Sequence, residues 1–170
     1  MELTLISEEE IQLRINTLAN EINKDYSNNN NLVFVCVLRG AFLFFSDLVR
    51  KLNSDVDIEF IQVSSYENGT ESQGLTIKSI LSNNVKNKTV FLIDDIVDTG
   101  NTLKSLSSIY KDLGASNVKT VALVCRPESK DFVDYHGFVI GDEWIYGYGL
   151  DLQGKKRTLL DIKYIEQNID

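Results

Sequence analysis

The stretch 90–103 limits the possible folds of this chain more than any other part of the sequence. Its first four residues are apolar and predict a buried parallel strand, which ends at two adjacent acids, Asp94 and Asp95. A third acid, Asp98, precedes a Thr-Gly-Asn-Thr turn, and a helical apolar pattern then runs as far as Gly114. This arrangement suits a ligand that carries phosphate at one end and sugar hydroxyls or a metal ion at the other.

Strand and helix patterns alternate along the rest of the chain. Helices are predicted behind the capping box of Ser7 and Glu10 and over 41–52, while 64–74 is polar and predicts a loop. Strands are predicted over 32–38, 56–63, 75–81, 89–93, 118–125 and 132–140. The alternation predicts an α/β fold with a mostly parallel sheet flanked by helices, and the absence of a linker predicts a single domain over 1–170.

Composition disfavours several classes of function. The chain has 170 residues, 43% of them apolar, and a net charge of −8, which disfavours a surface that binds duplex nucleic acid or an anionic membrane. We find neither an apolar stretch of about 20 residues that could span a membrane nor a cleavable signal pattern, so we expect a cytoplasmic protein. Cys36 and Cys125 lie in apolar strands and are expected to be buried, reduced thiols.

Three polar segments follow predicted strands: Arg39 with Gly40, the acidic run 94–98, and Arg126 with its proline. Ligands of open parallel sheets bind at the carboxyl ends of the strands, so these segments are expected to form one site. The chain contains neither a P-loop nor a dinucleotide fingerprint. In receiver domains the acidic pair follows the first strand, whereas here it follows a middle one.

The run from 93 to 102, Ile-Asp-Asp-Ile-Val-Asp-Thr-Gly-Asn-Thr, resembles the phosphoribosyl-diphosphate signature of type I phosphoribosyltransferases. Three more segments resemble the hypoxanthine-guanine branch of that family: 38–41 its pyrophosphate loop, 64–66 the start of its lid, and 144–151 with Arg157 its purine hood. The resemblance implies a Rossmann-like core, a flexible lid over 64–75, and a small purine-binding hood built from the N-terminus and 127–170.

The resemblance also implies an activity, which is transfer of the 5-phosphoribosyl group to N9 of hypoxanthine or guanine in purine salvage. Asp98 would be the catalytic group at purine N7, although an acid at this place could instead cap the helix. Asp94 and Asp95 would hold the ribose hydroxyls and lie near Mg²⁺, although the family more often has glutamate at the first position. Besides Asp94, Asp95 and Asp98, the residues implied to bind phosphoribosyl diphosphate are Thr99, Gly100, Asn101, Thr102, Arg39, Gly40 and Arg157. On residue type alone, Gly100 could be a turn glycine without a role in binding.

Further roles implied by the resemblance concern the metal, the lid and the base. Asp151 would bind Mg²⁺ and contact the purine, Ser65 and Tyr66 would close over the site, and the non-proline peptide between Arg39 and Gly40 would be cis. The purine would meet Trp144, Ile145 and Arg126. On residue types alone, Trp144 could be core, Asp151 a solvated loop acid, and Arg157 part of a surface run with two lysines.

Base identity is where the sequence departs from the family, because Arg126 stands where a lysine is usual. Arginine only donates hydrogen bonds, so a 6-oxopurine is favoured over adenine, but its fork differs from an ammonium group. The choice among hypoxanthine, guanine and xanthine therefore stays open. The alternatives are a phosphoribosyltransferase for xanthine or another base, and an RNA-binding regulator with the same fold. The resemblance implies a homodimer or homotetramer that binds small-molecule substrates and neither nucleic acid nor membrane.

Overall fold

Strands and helices alternate in the computed structural model, which describes residues 2–65, 75–77 and 85–165. The strands are β1 (Glu2–Ile6), β2 (Leu32–Leu38), β3 (Asp57–Ser65), β4 (Leu75–Ile77), β5 (Thr89–Val97), β6 (Asn117–Cys125), β7 (Tyr135–Val139), β8 (Ile145–Tyr146) and β9 (Ile162–Ile165). The helices are α1 (Glu8–Asp25), α2 (Phe42–Val49) and α3 (Asn101–Asp112).

The main sheet has six strands in the order β4-β3-β2-β5-β6-β7. Five of them are parallel, and β4 pairs antiparallel with β3 at one edge. The predicted α/β fold with a mostly parallel sheet is therefore confirmed. Its strand order places β2, β5 and β6 side by side, so the segments that follow these three strands meet at one edge of the sheet.

Each face of this sheet is covered by helices, because the central strands are apolar on both sides. Alternate residues of β2 divide between two cores, with Phe34 and Cys36 on the side of α1 and α2, and Val33 and Val35 on the side of α3. The apolar stripe predicted for α1 is buried, and it begins at the predicted capping box of Ser7. Helices on both faces leave the strand ends as the open part of the domain.

A second, three-stranded antiparallel sheet is built from β1, β9 and β8, in that order. The pairing of β1 with β9 joins the two ends of the chain, since Glu2 lies opposite Ile165. We call this sheet, together with the turns between β8 and β9, the hood. The sequence predicted contributions from the N-terminus and from 127–170, but it did not predict β1 as a strand.

Several predicted boundaries need correction. Strand β5 continues to Val97, so the acidic pair lies within the strand and does not follow it. Strand β3 continues to Ser65 and β4 begins at Leu75, so the predicted lid 64–75 starts and ends in strands; 66–74 and 78–84 lie outside the described residues. A 3-10 turn over Lys130–Phe132 delays the start of β7. None of the described helices is long and apolar enough to cross a membrane.

Candidate active site

The carboxyl ends of β2, β5 and β6 bring together the three predicted segments. A cis peptide is present in this loop, but it lies between Leu38 and Arg39, at the end of β2, and not between Arg39 and Gly40 as the resemblance implied. A methyl group on Gly40 would lie 1.6 Å from Oδ2 of Asp95, and one on Gly149 would lie 2.0 Å from the Gly40 carbonyl oxygen. Gly40 is therefore packed between the acidic pair and the hood, at a distance that any side chain would prevent.

The acidic pair is a site of concentrated, partly desolvated charge. Asp94 is buried, Asp95 is half-buried, and the backbone N–H of Asp95 donates to Oδ1 of Asp94 across 3.0 Å. Burial raises the pKa of Asp94 well above its usual range, and the neighbouring charge of Asp95 raises that pKa further. Such a pair is stabilised by hydroxyl donors or by a cation, and both are features of a sugar diphosphate with its metal ion.

The turn between β5 and α3 has the geometry of an anion cradle. Gly100, with φ of 77°, is the N-cap residue of α3, so the alternative of Asp98 as helix cap is wrong. The first N–H groups of a helix lack intrahelical partners and face its open end, where they can bind phosphate. Thr99 and Thr102 add hydroxyls at this end, and Oγ1 of Thr99 accepts from the backbone N–H of Asn101 across 3.4 Å.

Asp98 is bound by the residue that departs from the family pattern. Nε of Arg126 donates to Oδ1 of Asp98 across 2.9 Å, and the Asp98 side chain remains 63% exposed. The other two nitrogens of Arg126 donate to the carbonyl oxygens of Gly141 and Glu143. Three of the five guanidinium N–H groups are thus used, which leaves two for a ligand. Arg126 joins the acid at the strand end to the loop that leads to Trp144.

Trp144 is the most exposed residue among the predicted base contacts. Its exposed fraction is 66%, so the alternative of a core tryptophan is wrong. The residue follows the loop held by Arg126 and precedes β8, whose Ile145 and Tyr146 are buried. An indole ring that is exposed in this way can stack on a flat heterocycle.

At the other side of the hood, Asp151 and Arg157 are paired with each other. Nη2 of Arg157 donates to Oδ1 of Asp151 across 2.6 Å, and its Nη1 donates to the Gly149 carbonyl across 2.7 Å. The backbone N–H of Gly154 donates to Oδ2 of Asp151 across 2.7 Å. Both residues are therefore ordered parts of the hood turn, and the alternatives of a solvated acid and a basic surface run are wrong.

Two features of the site were missed at the level of sequence. The ammonium group of Lys104, on the first turn of α3, lies beside the turn 98–102 between β5 and α3, which we call the phosphate turn. The hydroxyl of Tyr148 donates to Asp47 across 2.5 Å, with Gln12 also bound to Asp47, and this holds the hood turn on α1 and α2. The Tyr148 contact spans 101 positions, so periodicity could not reveal it. The position of Lys104 could have been predicted, because a basic residue one turn into a helix lies near the N-terminus of that helix.

The described residues fit a magnesium ion only together with substrate oxygens. Within 2–65, 75–77 and 85–165, no three acidic, histidine or cysteine side chains form a cluster that could hold a metal ion by themselves. Carboxylates at Asp94, Asp95 and Asp151 are hard oxygen donors, and Mg²⁺ is commonly held by one or two carboxylates plus phosphate oxygens. Of the two predicted lid residues, Ser65 is the last residue of β3, and Tyr66 lies outside the described residues.

Known proteins resemble this chain over nearly its whole length. Residues 5–153 match the family described as "Phosphoribosyl transferase domain". The hypoxanthine-guanine phosphoribosyltransferase of Aquifex aeolicus is 39% identical over 95% of this chain and 93% of that protein. The bifunctional protein TilS/HprT of Listeria innocua is 38% identical over 97% of this chain, which spans 26% of that protein. A crystal structure of a hypoxanthine-guanine phosphoribosyltransferase from Bacillus anthracis has a TM-score of 0.89 and 36% identity, covering 96% of this chain and 98% of that one.

Proposed function

The chain belongs to the phosphoribosyltransferase family, and we propose that it is a purine-salvage enzyme for hypoxanthine and guanine. It would transfer the 5-phosphoribosyl group of 5-phosphoribosyl 1-diphosphate to N9 of the base and give IMP or GMP plus pyrophosphate. The observation that carries the proposal is the exposed carboxylate of Asp98, which Arg126 holds between the phosphate turn and the loop before Trp144. In this proposal the proton acceptor lies between Trp144, which would stack on the base, and the turn that would bind the sugar phosphate.

Asp94 and Asp95 hold the ribose, and the turn that follows them holds its 5′-phosphate. The two carboxylates accept hydrogen bonds from the 2′- and 3′-hydroxyls, which offsets the cost of their burial. Backbone N–H groups and hydroxyls of Thr99, Gly100, Asn101 and Thr102 bind the phosphate at the positive end of α3.

The chemical step is a displacement at C1 of the ribose. The N9 lone pair forms the new bond to C1, the C1–O bond breaks, and its electron pair leaves with the diphosphate. Asp98 accepts the proton at N7 as positive charge develops on the purine. The oxocarbenium-like transition state makes positioning and charge the main contributions of the protein.

The diphosphate is held between the β2 loop and the hood. Backbone N–H groups of Arg39 and Gly40 face it from one side, and Arg157 contacts it from the other. Asp151, Asp94 and Asp95 would hold Mg²⁺ together with substrate oxygens, and the ion would supply charge neutralisation of the leaving group. Ser65 and Tyr66 close over the site and exclude water.

Base recognition combines one aromatic face with donors and acceptors. Trp144 stacks on the purine, and the carbonyl oxygens of Ile145 and Asp151 accept from the 2-amino group of guanine. The two remaining N–H groups of Arg126 donate to the 6-oxo oxygen. Adenine has a donor at position 6 and would leave these N–H groups unpaired.

We also propose a single domain over 1–170, a cytoplasmic location and a homodimer or homotetramer.

A base panel tests the assignment. Purified protein with Mg²⁺ and the diphosphate donor is given hypoxanthine, guanine, xanthine, adenine or uracil, and nucleotides are separated by chromatography. We expect IMP and GMP, with no product from adenine or uracil, and loss of both products when a chelator removes the metal. Consumption of neither hypoxanthine nor guanine would make the assignment wrong, and product from xanthine alone would identify the alternative enzyme. Use of adenine as readily as hypoxanthine would contradict the donor argument at Arg126.

A further inference from the structure

Lys104 is a basic side chain that lies against the turn between β5 and α3. Its Nζ donates to the Thr99 carbonyl oxygen across 3.4 Å and lies 5.2 Å from the centre of the Phe132 ring. A methyl group on Gly100 would lie 3.6 Å from Cε and 3.8 Å from Nζ of Lys104. The side chain therefore runs back from α3 toward the turn, as the tilt of helical side chains toward the N-terminus allows.

The phosphate turn lacks the positive charge needed to balance a bound phosphate. The turn residues 98–102 include one acidic residue and no basic residue, and two further acidic residues lie just before them in β5. A phosphate monoester brings about two more negative charges at neutral pH. The helix N-terminus supplies the equivalent of only about half a positive charge, which cannot balance this dianion.

The present partners of the ammonium group leave it able to turn to a ligand. A hydrogen bond of 3.4 Å to a carbonyl lies at the long end of the range, and Lys104 is exposed. The Phe132 ring attracts the ammonium group by a weak cation–π interaction. Nζ is thus kept near the turn and can exchange the Thr99 carbonyl for a phosphate oxygen.

We propose that Lys104 is a substrate-binding residue that neutralises the 5′-phosphate of the phosphoribosyl donor and of the nucleotide product. The proposal rests on the function proposed above and adds a residue that selects sugar 5′-phosphates over unphosphorylated sugars. Its effect is confined to binding of the phosphate, because the 5′-phosphate does not change in the reaction. A uniform binding contribution of this kind alters KM and leaves kcat in place.

Lys104→Met tests this role, with Lys104→Arg as the conservative variant and Lys111→Met as the control. Lys111 is exposed in the last turn of the same helix, so its loss removes an equal charge at the far end. We expect KM for 5-phosphoribosyl 1-diphosphate to rise about tenfold in Lys104→Met, the usual size of a lost charge-assisted hydrogen bond. KM for the base and kcat should stay within about twofold, and Lys104→Arg and Lys111→Met should resemble the parent.

Calorimetric titration gives a readout without turnover. IMP should bind Lys104→Met about tenfold more weakly than it binds the parent protein, while inosine, which lacks the phosphate, should bind both equally. Unchanged IMP affinity and unchanged donor KM would overturn the proposal, as would an equal loss for IMP and inosine. Failure of the proposed function would be seen separately, as inactivity of the parent protein toward the base panel.

Discussion

Replacing Arg126 by methionine should destabilise the protein, because one guanidinium group joins three separate acceptors. Its side chain is only 14% exposed, and its partners are Asp98 at the end of β5 and the carbonyls of Gly141 and Glu143 in the loop before β8. Methionine keeps much of the volume of the stem but removes every donor. Lysine keeps the charge, yet its single ammonium group cannot replace a planar fork that bonds in three directions.

The magnitude follows from the exposure of each partner. The Asp98 side chain is 63% exposed, so its ion pair contributes about 0.5 kcal/mol, as is usual for solvent-screened pairs. Each of the two carbonyl hydrogen bonds contributes about 1 kcal/mol. Arg126→Met should therefore lower the free energy of unfolding by about 2.5 kcal/mol, which corresponds to a fall in Tm of about 5–10 °C for a chain of this length. Arg126→Lys should lose about half as much.

Thermal unfolding by calorimetry measures these differences, and Arg50→Met is the matched control. Arg50 is 74% exposed, and its ion pair to Asp47 is 3.6 Å long, so its loss should shift Tm by less than about 2 °C. Kinetics add a second readout: kcat should fall in Arg126→Met, but not further when Asp98 is already asparagine. Equal Tm shifts for Arg126→Met and Arg50→Met would refute the reasoning. So would kcat losses that multiply when Arg126→Met and Asp98→Asn are combined.

Three further outcomes are expected. Asp98→Asn should lower kcat at least about a hundredfold with little change in Tm, and a smaller loss would remove its role as proton acceptor. Gly40→Ala should abolish activity, because the added methyl group meets Asp95 at 1.6 Å, whereas Gly154→Ala meets nothing within 4 Å and should stay active despite a φ of 78°. Burial raises the pKa of Cys36 to about 12, so this thiol should resist alkylation at pH 8 in the native protein and react after unfolding; labelling of Cys36 in the native protein would contradict its burial.

The part of the site that could be predicted from sequence is the part that is contiguous in the chain. The run 89–102 contains a strand, three acids, a turn and a helix start, and each is recognisable from local patterns. The parallel arrangement then follows from alternation, which is why the ends of β2, β5 and β6 could be expected at one edge. Even so, the pattern stopped β5 four residues early, because the acids within it look like a strand end.

The parts that could not be predicted depend on contacts between distant positions. Strand β1 has too few residues for a clear periodic signal, and it exists because it pairs with β9 at the other end of the chain. The resemblance implied that Arg126 contacts the base, but no local pattern reveals that it binds Asp98, 28 positions earlier. A side chain with five donors has many possible partners, and only the fold selects among them.

The pairing of Asp151 with Arg157 raises the question of how both could also bind ligands, and the hydrogen-bond capacity of the groups answers it. Arg157 uses two of its five N–H groups, and Asp151 accepts two hydrogen bonds where a carboxylate has about four lone-pair sites. Donors therefore remain for a diphosphate, and acceptors for a metal ion, without breaking the pair. The same arginine binds the Gly149 carbonyl, and Gly149 packs against Gly40, which packs against Asp95. The predicted metal and diphosphate residues are thus held by one continuous set of contacts, so substrate binding needs little rearrangement of the charged groups in the hood.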